Sequence, residues 1–593
     1  MKKNRFKTFS VIAIFCLGFL VYSNTFHCSF HLDDNSGIVF NIVIKSIHHL
    51  KSIWDFWPSR LITYLSIALN YHFNGLDVRG YHLFNLAVHL GAAILVWWLT
   101  FLTLATPVMK EEKIAKHANV ISLLAGLIFV AHPIQTEAVT YIVQRASSMA
   151  TLFYMASLCF YVKFRLQDTK IQIIYYICSL TTAVLAMFCK EMAITLPLMI
   201  LVYECCFFKA KGGLKWMYLV PFFFTMLIIP IAVKFTALSR LQIFREDPGI
   251  SSMNYFLTQC RVMVTYIRLA FLPLNQNLDY DYPVFKSFFA TPVWASFLFL
   301  AVIFIIAKQL FLKHRLVSFS IFWFFLTLLP ESSLFPIKDV IFEHRLYLPL
   351  VGYSIFLVSG MYYGIGLLCR HSEQSEESKG ILRSFTSLGI TMVITMVIIT
   401  MVVACYSILT YQRNKVWRDE FALWNDTVGK SPHKARPYNN RGFSYLIHGN
   451  FDQAMLDFNK AIALDPNTAM AYINRGAIYE AQGKIFKALV QYTEACMIMP
   501  KLGIAYHNRA VIYNKLGQLS EAISNATKVI EIDPSDPNGY ITRSVLYSKQ
   551  GDFNRAISDI NKALEIDPNN KEAYSDRVIV YSLLKKHEVI LRK

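Results

Sequence analysis

The sequence predicts an all-helical protein in two parts, a polytopic membrane core followed by a soluble solenoid of helical hairpins. Three observations carry this. Hydrophobic residues make up 55% of the 593 and charged residues only 16%, with a mean hydropathy of +0.39, more apolar than a soluble surface tolerates. Apolar runs long enough to cross about 30 Å of hydrocarbon recur as far as Tyr411. Beyond that point single residue types return at a step of 34, as Pro466, Pro500, Pro534 and Pro568 do.

The net charge of +19 does not point to nucleic acid, because basic residues as far as Arg418 sit in short runs between apolar segments, as orientation signals do. Of the 11 cysteines, Cys16, Cys159, Cys178, Cys189, Cys205, Cys206 and Cys405 fall in apolar runs as small hydrophobes. No spacing supports zinc or a disulfide framework.

Taken in order, Lys2, Lys3, Arg5 and Lys7 precede an apolar run to Tyr22 with no small-x-small cleavage site after it, which reads as a first transmembrane helix. Next comes Phe30-His-Leu-Asp-Asp-Asn-Ser-Gly-Ile38, with adjacent carboxylates at Asp33 and Asp34. Asn41 to Tyr81 mixes Trp54, Trp57, His48, His49, Arg60 and Arg79 with short amphipathic runs, suited to helices on the bilayer surface.

Further spans are expected at about Leu83–Ala105, Val120–Val130, Ser148–Phe164, Ile173–Phe188, Ala193–Phe207, Trp216–Val233, Pro292–Ala307, Leu316–Leu329, Leu346–Leu368 and Leu388–Leu409, making about 11 with the first. Tyr255 to Leu272 carries Gln259, Arg261 and Arg268 and reads as a surface helix on the outer side. Cys369 to Arg383 reads as a disordered cytoplasmic loop. Lysine and arginine gather in alternate loops, at Lys110, Lys113 and Lys116, at Lys163, Arg165 and Lys170, and at Lys209, Lys211 and Lys215. They place the amino terminus in the cytoplasm and both the acidic doublet and the C-terminal repeats on the outer side.

In the repeats, Gly449, Gly483, Gly517 and Gly551 keep the step of 34, as do Ala454, Ala488, Ala522 and Ala556 and the tyrosines at 438, 472, 506, 540 and 574. Small residues let paired helices approach, tyrosine fills the space between repeats, glycine permits the turn and proline ends the second helix. This is the tetratricopeptide pattern. The expected division is a membrane domain 1–411 with an outer loop 27–82, a linker helix 412–434, and repeats at 435–468, 469–502, 503–536 and 537–570 with a capping helix after them. Such stacks form superhelices, expected here to be right-handed, that bind extended peptides. Asn440, Asn474 and Asn508 fall where amides can bond a peptide backbone, although Asn-Arg-Gly is also common at this point of a repeat. Arg441, Arg475, Arg509, Arg543 and Arg577 recur too and read as solvated.

The acidic doublet, His132-Pro-Ile-Gln-Thr-Glu-Ala-Val139 with Gln144-Arg145, Glu343-His-Arg-Leu-Tyr-Leu-Pro349 and the repeats together resemble the transmembrane and tetratricopeptide-repeat-containing proteins. The eukaryotic members of that family are protein O-mannosyltransferases. The resemblance implies a GT-C-type helical core that moves a mannose-like hexose from a polyisoprenyl phosphate to Ser or Thr of an exported protein. Four repeats and a short tail suggest a bacterial relative, in the inner membrane, whose sugar and acceptor differ.

A lipid-phosphate donor brings its own leaving group, so the protein must supply a base for the acceptor and positive charge for the departing phosphate. Candidates for that charge are Arg60, Arg145, Lys190, His344 and Arg345, with Arg60 and Arg345 favoured by the resemblance. The resemblance also makes Asp33 the base and Asp34 its partner, while capping of the following helix stays open for both. No cofactor is required, and assistance by a divalent metal is left open. Spans nearly free of ionisable groups argue against a transporter. The alternative is a non-catalytic membrane scaffold that presents the repeats for envelope protein assembly. The expected partners are the lipid-linked sugar, an acceptor protein on the repeats and membrane lipid.

Overall fold

The computed structural model describes every residue except 1, 49, 170, 209–215, 239–248, 375–386 and 592–593. It divides into two compact units, Met1–Asp426 and Thr427–Lys593, and the described residues are helical with no strand.

Among the described residues of the first unit, 6 helical stretches are long and apolar enough to cross a bilayer: Val78–Leu104, Lys113–Ala131, Trp216–Phe235, which a turn at Met226 and Leu227 divides, Thr291–Lys313, Pro349–Cys369 and Gly389–Trp417. Gln172–Met187 and Arg315–Leu328 are apolar but shorter. Of the other expected spans, Lys2–Val21 and Arg145–Leu166 are helices with charged ends, and Leu196–Phe207 is a helix of 12 residues. Thr291–Lys313 leaves Phe297, Leu298, Phe299, Val302, Phe304 and Ile305 exposed, a continuous apolar face that suits lipid rather than water. The chain is a membrane protein.

Tightly packed helices form the core, where Tyr154, Tyr203, Trp323 and Tyr347 are buried. Trp216–Thr225 and Ile228–Leu238 are separate helices, divided at Met226 and Leu227, and Pro230 lacks the N–H that would bond the Met226 carbonyl across the break. Ser252–Phe271, expected on the surface, buries Tyr255, Gln259, Val262, Tyr266 and Leu269 along one face and leaves Arg268 exposed. The buried face has a purpose: Tyr255 donates to the Glu331 carbonyl at 2.6 Å, Gln259 to that of Val340 at 2.8 Å and Tyr266 to that of Phe342 at 3.0 Å. The expected polar loop from Cys369 is helical as far as Gln374, and its remainder lies outside the described residues, as do Lys170, Lys209, Lys211 and Lys215.

Between the long helices the chain makes short helical turns at Asn35–Val39, Pro58–Arg60, Gln135–Thr140, Ile142–Gln144, Glu191–Thr195 and Glu343–Leu346. These turns bond to one another, as Ser59 does to Glu191 and Asp34 to Val143. They carry most of the candidate residues.

In the second unit, 8 helices from Ala435–Ile447 to Phe553–Ile566 pair as antiparallel hairpins, followed by Lys571–Leu591. Gly449, Gly483, Gly517 and Gly551 have φ of 75°, 71°, 74° and 86°, the left-handed region that lets the hairpin turn. Four of the five recurrent arginines are not simply solvated as expected. Arg441 pairs with Asp457 and Arg543 with Asp559 through two hydrogen bonds each, while Arg475 bonds Gln491 and Arg509 bonds Asn525, all at 16 residues' separation. Each therefore ties the first helix of a hairpin to the second.

A Cβ at Gly476 would stand 2.7 Å from the ring of buried Tyr492. Gly476→Val should therefore cost the unit about 1–3 kcal/mol through forced repacking. The check is thermal unfolding by circular dichroism of a fragment from Ser431 to Lys593, which should be soluble and helical; an unchanged midpoint in the variant would contradict this packing.

Candidate active site

The acidic doublet is placed by a strained backbone. Leu32, immediately before it, has φ of 45°, a region that side-chain-bearing residues rarely adopt and that costs roughly 1–3 kcal/mol. Leu32 packs against the buried cluster that includes Tyr141 and Trp417, and the next two side chains take opposite fates: Asp33 is exposed and Asp34 wholly buried.

Asp34 spends its carboxylate on backbone donors. One oxygen accepts from the His31 N–H at 3.0 Å, the other from the Val143 N–H at 2.7 Å. Burial, the largest influence, pushes its pKa up to about 8 against the pull of those donors. It makes no side-chain bond to the helix Asn35–Val39 that follows, so capping does not describe it. His31 is buried too, and its Nε2–H donates to the Trp417 carbonyl at 2.7 Å, with burial holding its pKa down at about 4. The Asp33 N–H donates to the Tyr141 hydroxyl at 2.9 Å. The doublet is thus clamped from behind while the Asp33 side chain faces outward.

Four of the five expected phosphate-binding residues share one electrostatic neighbourhood, since Lys190, Arg345 and Arg60 all act on the His344 ring. Arg60 lies over the Trp57 ring at 4.5 Å and pairs with Glu191 at 3.3 Å, and Ser59 donates to the same carboxylate at 2.8 Å. Lys190 pairs with Glu331 at 3.0 Å and donates to Ser147 at 2.9 Å; burial lowers its pKa. Arg345 donates to the carbonyls of Val340 and Asp339 at 3.0 and 2.8 Å. The His344 Nδ1 meets Glu137 at 2.7 Å. Tyr64 links this group to the doublet, lying within electrostatic reach of Arg60 and Glu191 and of Asp33 and Asp34.

Arg145 is elsewhere. It is fully buried, donates to Asn85 at 2.6 Å, to Ser66 at 3.3 Å and to the Tyr81 carbonyl at 3.2 Å, and lies 4.3 Å from the Phe84 ring. It braces the helices Leu61–Asn74 and Val78–Leu104. In the repeats, Asn474 is buried and donates to Asn439 at 3.1 Å, and Asn439 donates to Asn440 at 2.9 Å. Asn508 is half-buried.

Sequence reasoning missed Tyr64, Tyr141, Ser147 and Glu331. Only Glu331 had a visible signal, as an acid directly after an apolar run and Pro330. No group of three or more His, Cys, Asp or Glu among the described residues has metal-binding geometry.

If Asp34 is a clamp, Asp34→Asn should destabilise the chain by about 1–3 kcal/mol above about pH 8, where the carboxyl is ionised, because an amide offers one acceptor and turns an NH2 toward a backbone donor. Asp33→Asn should leave the thermal midpoint in detergent unchanged. Equal midpoints for the two variants would show that the buried bonds do not carry this loop.

Models of the tetratricopeptide repeat match residues 442–483, 504–536 and 537–570. Over the repeats the chain also matches the solved structure of MamA, with 22% identity and a TM-score of 0.23 over 25% of this chain and 86% of that one. Along most of its length it is similar to curated protein O-mannosyl-transferases. TMTC3 of Mus musculus is 26% identical, covering 74% of this chain and 49% of the relative. TMTC4 of Homo sapiens is 24% identical, covering 74% and 63%. The chain spans about half the length of the first of these. With its helical membrane unit and its tetratricopeptide repeats, the chain is thus similar to the TMTC3 and TMTC4 protein O-mannosyl-transferases over about three quarters of its length.

Proposed function

We propose that the chain is a membrane glycosyltransferase of the GT-C type that moves a mannose-like hexose from a polyisoprenyl-phosphate donor to Ser or Thr of an exported protein. The observation that carries this is the exposed Asp33 carboxylate, beside an Asp34 fixed by backbone bonds, with Tyr64 within electrostatic reach of both the doublet and Arg60, one of the basic group Arg60, Lys190 and Arg345. Similarity to named O-mannosyl-transferases supports the sugar class.

In this reading Asp33 takes the proton of the acceptor hydroxyl as its oxygen attacks the sugar, inverting the anomeric carbon. Asp34 positions it and stays out of the reaction. Arg60, Lys190 and Arg345 stabilise the negative charge gathering on the lipid phosphate, and because Glu191, Glu331 and two backbone carbonyls already hold them, little reorganisation is needed when the charge develops. Arg145 acts from a distance by holding the helix packing behind the doublet.

The repeats present the acceptor, with Asn440, Asn474 and Asn508 lining its path; the amides of Asn440 and Asn474 already form a chain with Asn439. Helix direction supports the orientation: Val78–Leu104 runs from the acidic-loop end toward Lys110, Lys113 and Lys116, so the site and the basic loop lie at opposite ends of a span. With basic loops inside, the site and the repeats face outward, in a bacterial inner membrane.

The test is transfer by purified protein from a polyprenyl-phosphate mannose to an acceptor peptide. Asp33→Asn should lower the rate by about 100-fold or more while the protein stays folded. Wild-type turnover in that variant would end the assignment of Asp33, and absence of transfer by the wild type would end the enzymatic reading in favour of the scaffold.

A further inference from the structure

The helix that follows the four hairpins departs from their pattern at two positions. Each hairpin turns at a glycine, Gly449, Gly483, Gly517 or Gly551, and the next place at the step of 34 is Lys585. A left-handed turn would strain a lysine, and the chain makes none there. Lys571–Leu591 runs on through it as one helix of 21 residues, where the first helix of each hairpin has 13 or 14.

The second departure is Val578. Its counterparts in the hairpins are Gly442, Gly476, Ala510 and Ser544, small residues that are all buried. They lie where the second helix of the hairpin comes closest. A Cβ at Gly442 would stand 2.8 Å from the Phe458 ring, and one at Gly476 2.7 Å from the Tyr492 ring. A branched valine leaves no room for a helix seated that deeply.

Both changes uncover the same face. Tyr574, Val578 and Tyr581 stand at i, i+4 and i+7, a single stripe along the helix. They are 44, 70 and 50% exposed, whereas the tyrosines at the matching places in the four hairpins are half-buried. Another face of this helix is already used, since Ala573 and Val580 join the core of the last hairpin. Because the helix continues in line past Lys585, it does not fold back over its own stripe.

The residues beside the stripe decide what suits it. Glu572 and Asp576 lie a turn apart near one end, and Lys585 and Lys586 near the other; Arg577 lies over the Tyr574 ring at 4.9 Å. A bilayer surface calls for basic residues along the whole edge, and here acids and the exposed Ser575 and Ser582 border the stripe. A second copy of the same helix fits better. Laid antiparallel, it sets the acidic end of each copy against the basic end of the other, whereas a parallel pair would set like against like. Antiparallel packing also opposes the helix dipoles.

We infer that Tyr574, Val578 and Tyr581 form a self-association face, on which the same helix of a second copy packs antiparallel about a two-fold axis. A contact one helix wide falls short of the about 1,600 Å² of a standard interface, so the pair is weak in dilute solution. Copies anchored in one bilayer meet at high effective concentration and need only a weak contact.

The test is sedimentation of the full-length protein in detergent over a range of concentrations, with energy transfer between differently labelled copies in liposomes. The wild type should pass from one copy to two as concentration rises. Val578→Glu should weaken association by about 10-fold or more and leave the circular dichroism spectrum unchanged, because the site is exposed. Glu572→Lys should also weaken it, and Glu572→Lys combined with Lys585→Glu and Lys586→Glu should restore it. A single copy at every concentration and no energy transfer would overturn the inference. So would a pair that Val578→Glu leaves intact, which places the contact elsewhere, or a combined variant that stays as weak as Glu572→Lys alone, which removes the antiparallel pairing. A single-copy protein whose Val578→Cys thiol reacts with a maleimide in detergent but is shielded in liposomes gives the stripe to the bilayer and overturns it as well.

Discussion

The candidate site depends on one buried carboxylate. Asp34 takes no role at the surface, yet its two backbone bonds, to His31 and Val143, close a loop of chain between residues separated by more than a hundred positions. They act with the Asp33 N–H bond to Tyr141 and the His31 bond to Trp417 to hold the segment after the first helix against Tyr141. While ionised, a carboxylate suits this place better than an amide because both donors are N–H groups, and in that form it has acceptors only. The raised pKa shows the cost of burial outweighing the pull of those bonds. The strained φ of Leu32 is the other half of the constraint: it turns the chain so that of two neighbouring acids one enters the protein and the other leaves it.

The basic cluster follows a different logic. A lone buried lysine or arginine is costly, and each cation here has a counterweight: Glu191 for Arg60, Glu331 for Lys190 and two carbonyls for Arg345. Their positions come from separate stretches of chain, so only the fold assembles them. The counterweights also explain why Ser252–Phe271 buries a polar face. Tyr255, Gln259 and Tyr266 hold carbonyls on the segment 331–342, and that segment carries both Glu331 and the approach to Arg345.

How far the sequence could be read depended on periodicity. The repeats were legible residue by residue because a step of 34 exposes every helix and turn, and the apolar runs were legible because lipid demands them. Span limits were less so: one run becomes two helices at Met226 and Leu227, just before Pro230, and Leu196–Phe207 is shorter than its apolar surroundings suggest. At the site, the doublet and the Glu-His-Arg stretch stood out as motifs. Which acid is buried, and that Arg145 is spent on Asn85 and Ser66, follow from contacts more than fifty residues apart and leave no local trace. The recurrent arginines of the repeats show the same limit. Their partners at 16 residues' distance alternate between Asp, Gln, Asn and Asp, so charge pattern alone hides the pairing.

That pairing bears on what the repeats can still offer a peptide. Arg441, Arg475, Arg509 and Arg543 are occupied within their own hairpins, Arg475 and Arg543 also reach back to Asn459 and Thr527 of the preceding hairpin, and other bridges between successive hairpins run at 35 residues' distance, as Asn439 with Asn474 and His507 with Thr542. The Asn474 amide is therefore already donating, and its removal would disturb the stack as well as any ligand. On the proposed reading, polar groups held before a peptide arrives would lower the ordering cost of binding. An extended chain would then bond to the lone pairs and N–H groups left over from the ladder, with less freedom than a row of solvated asparagines would give it.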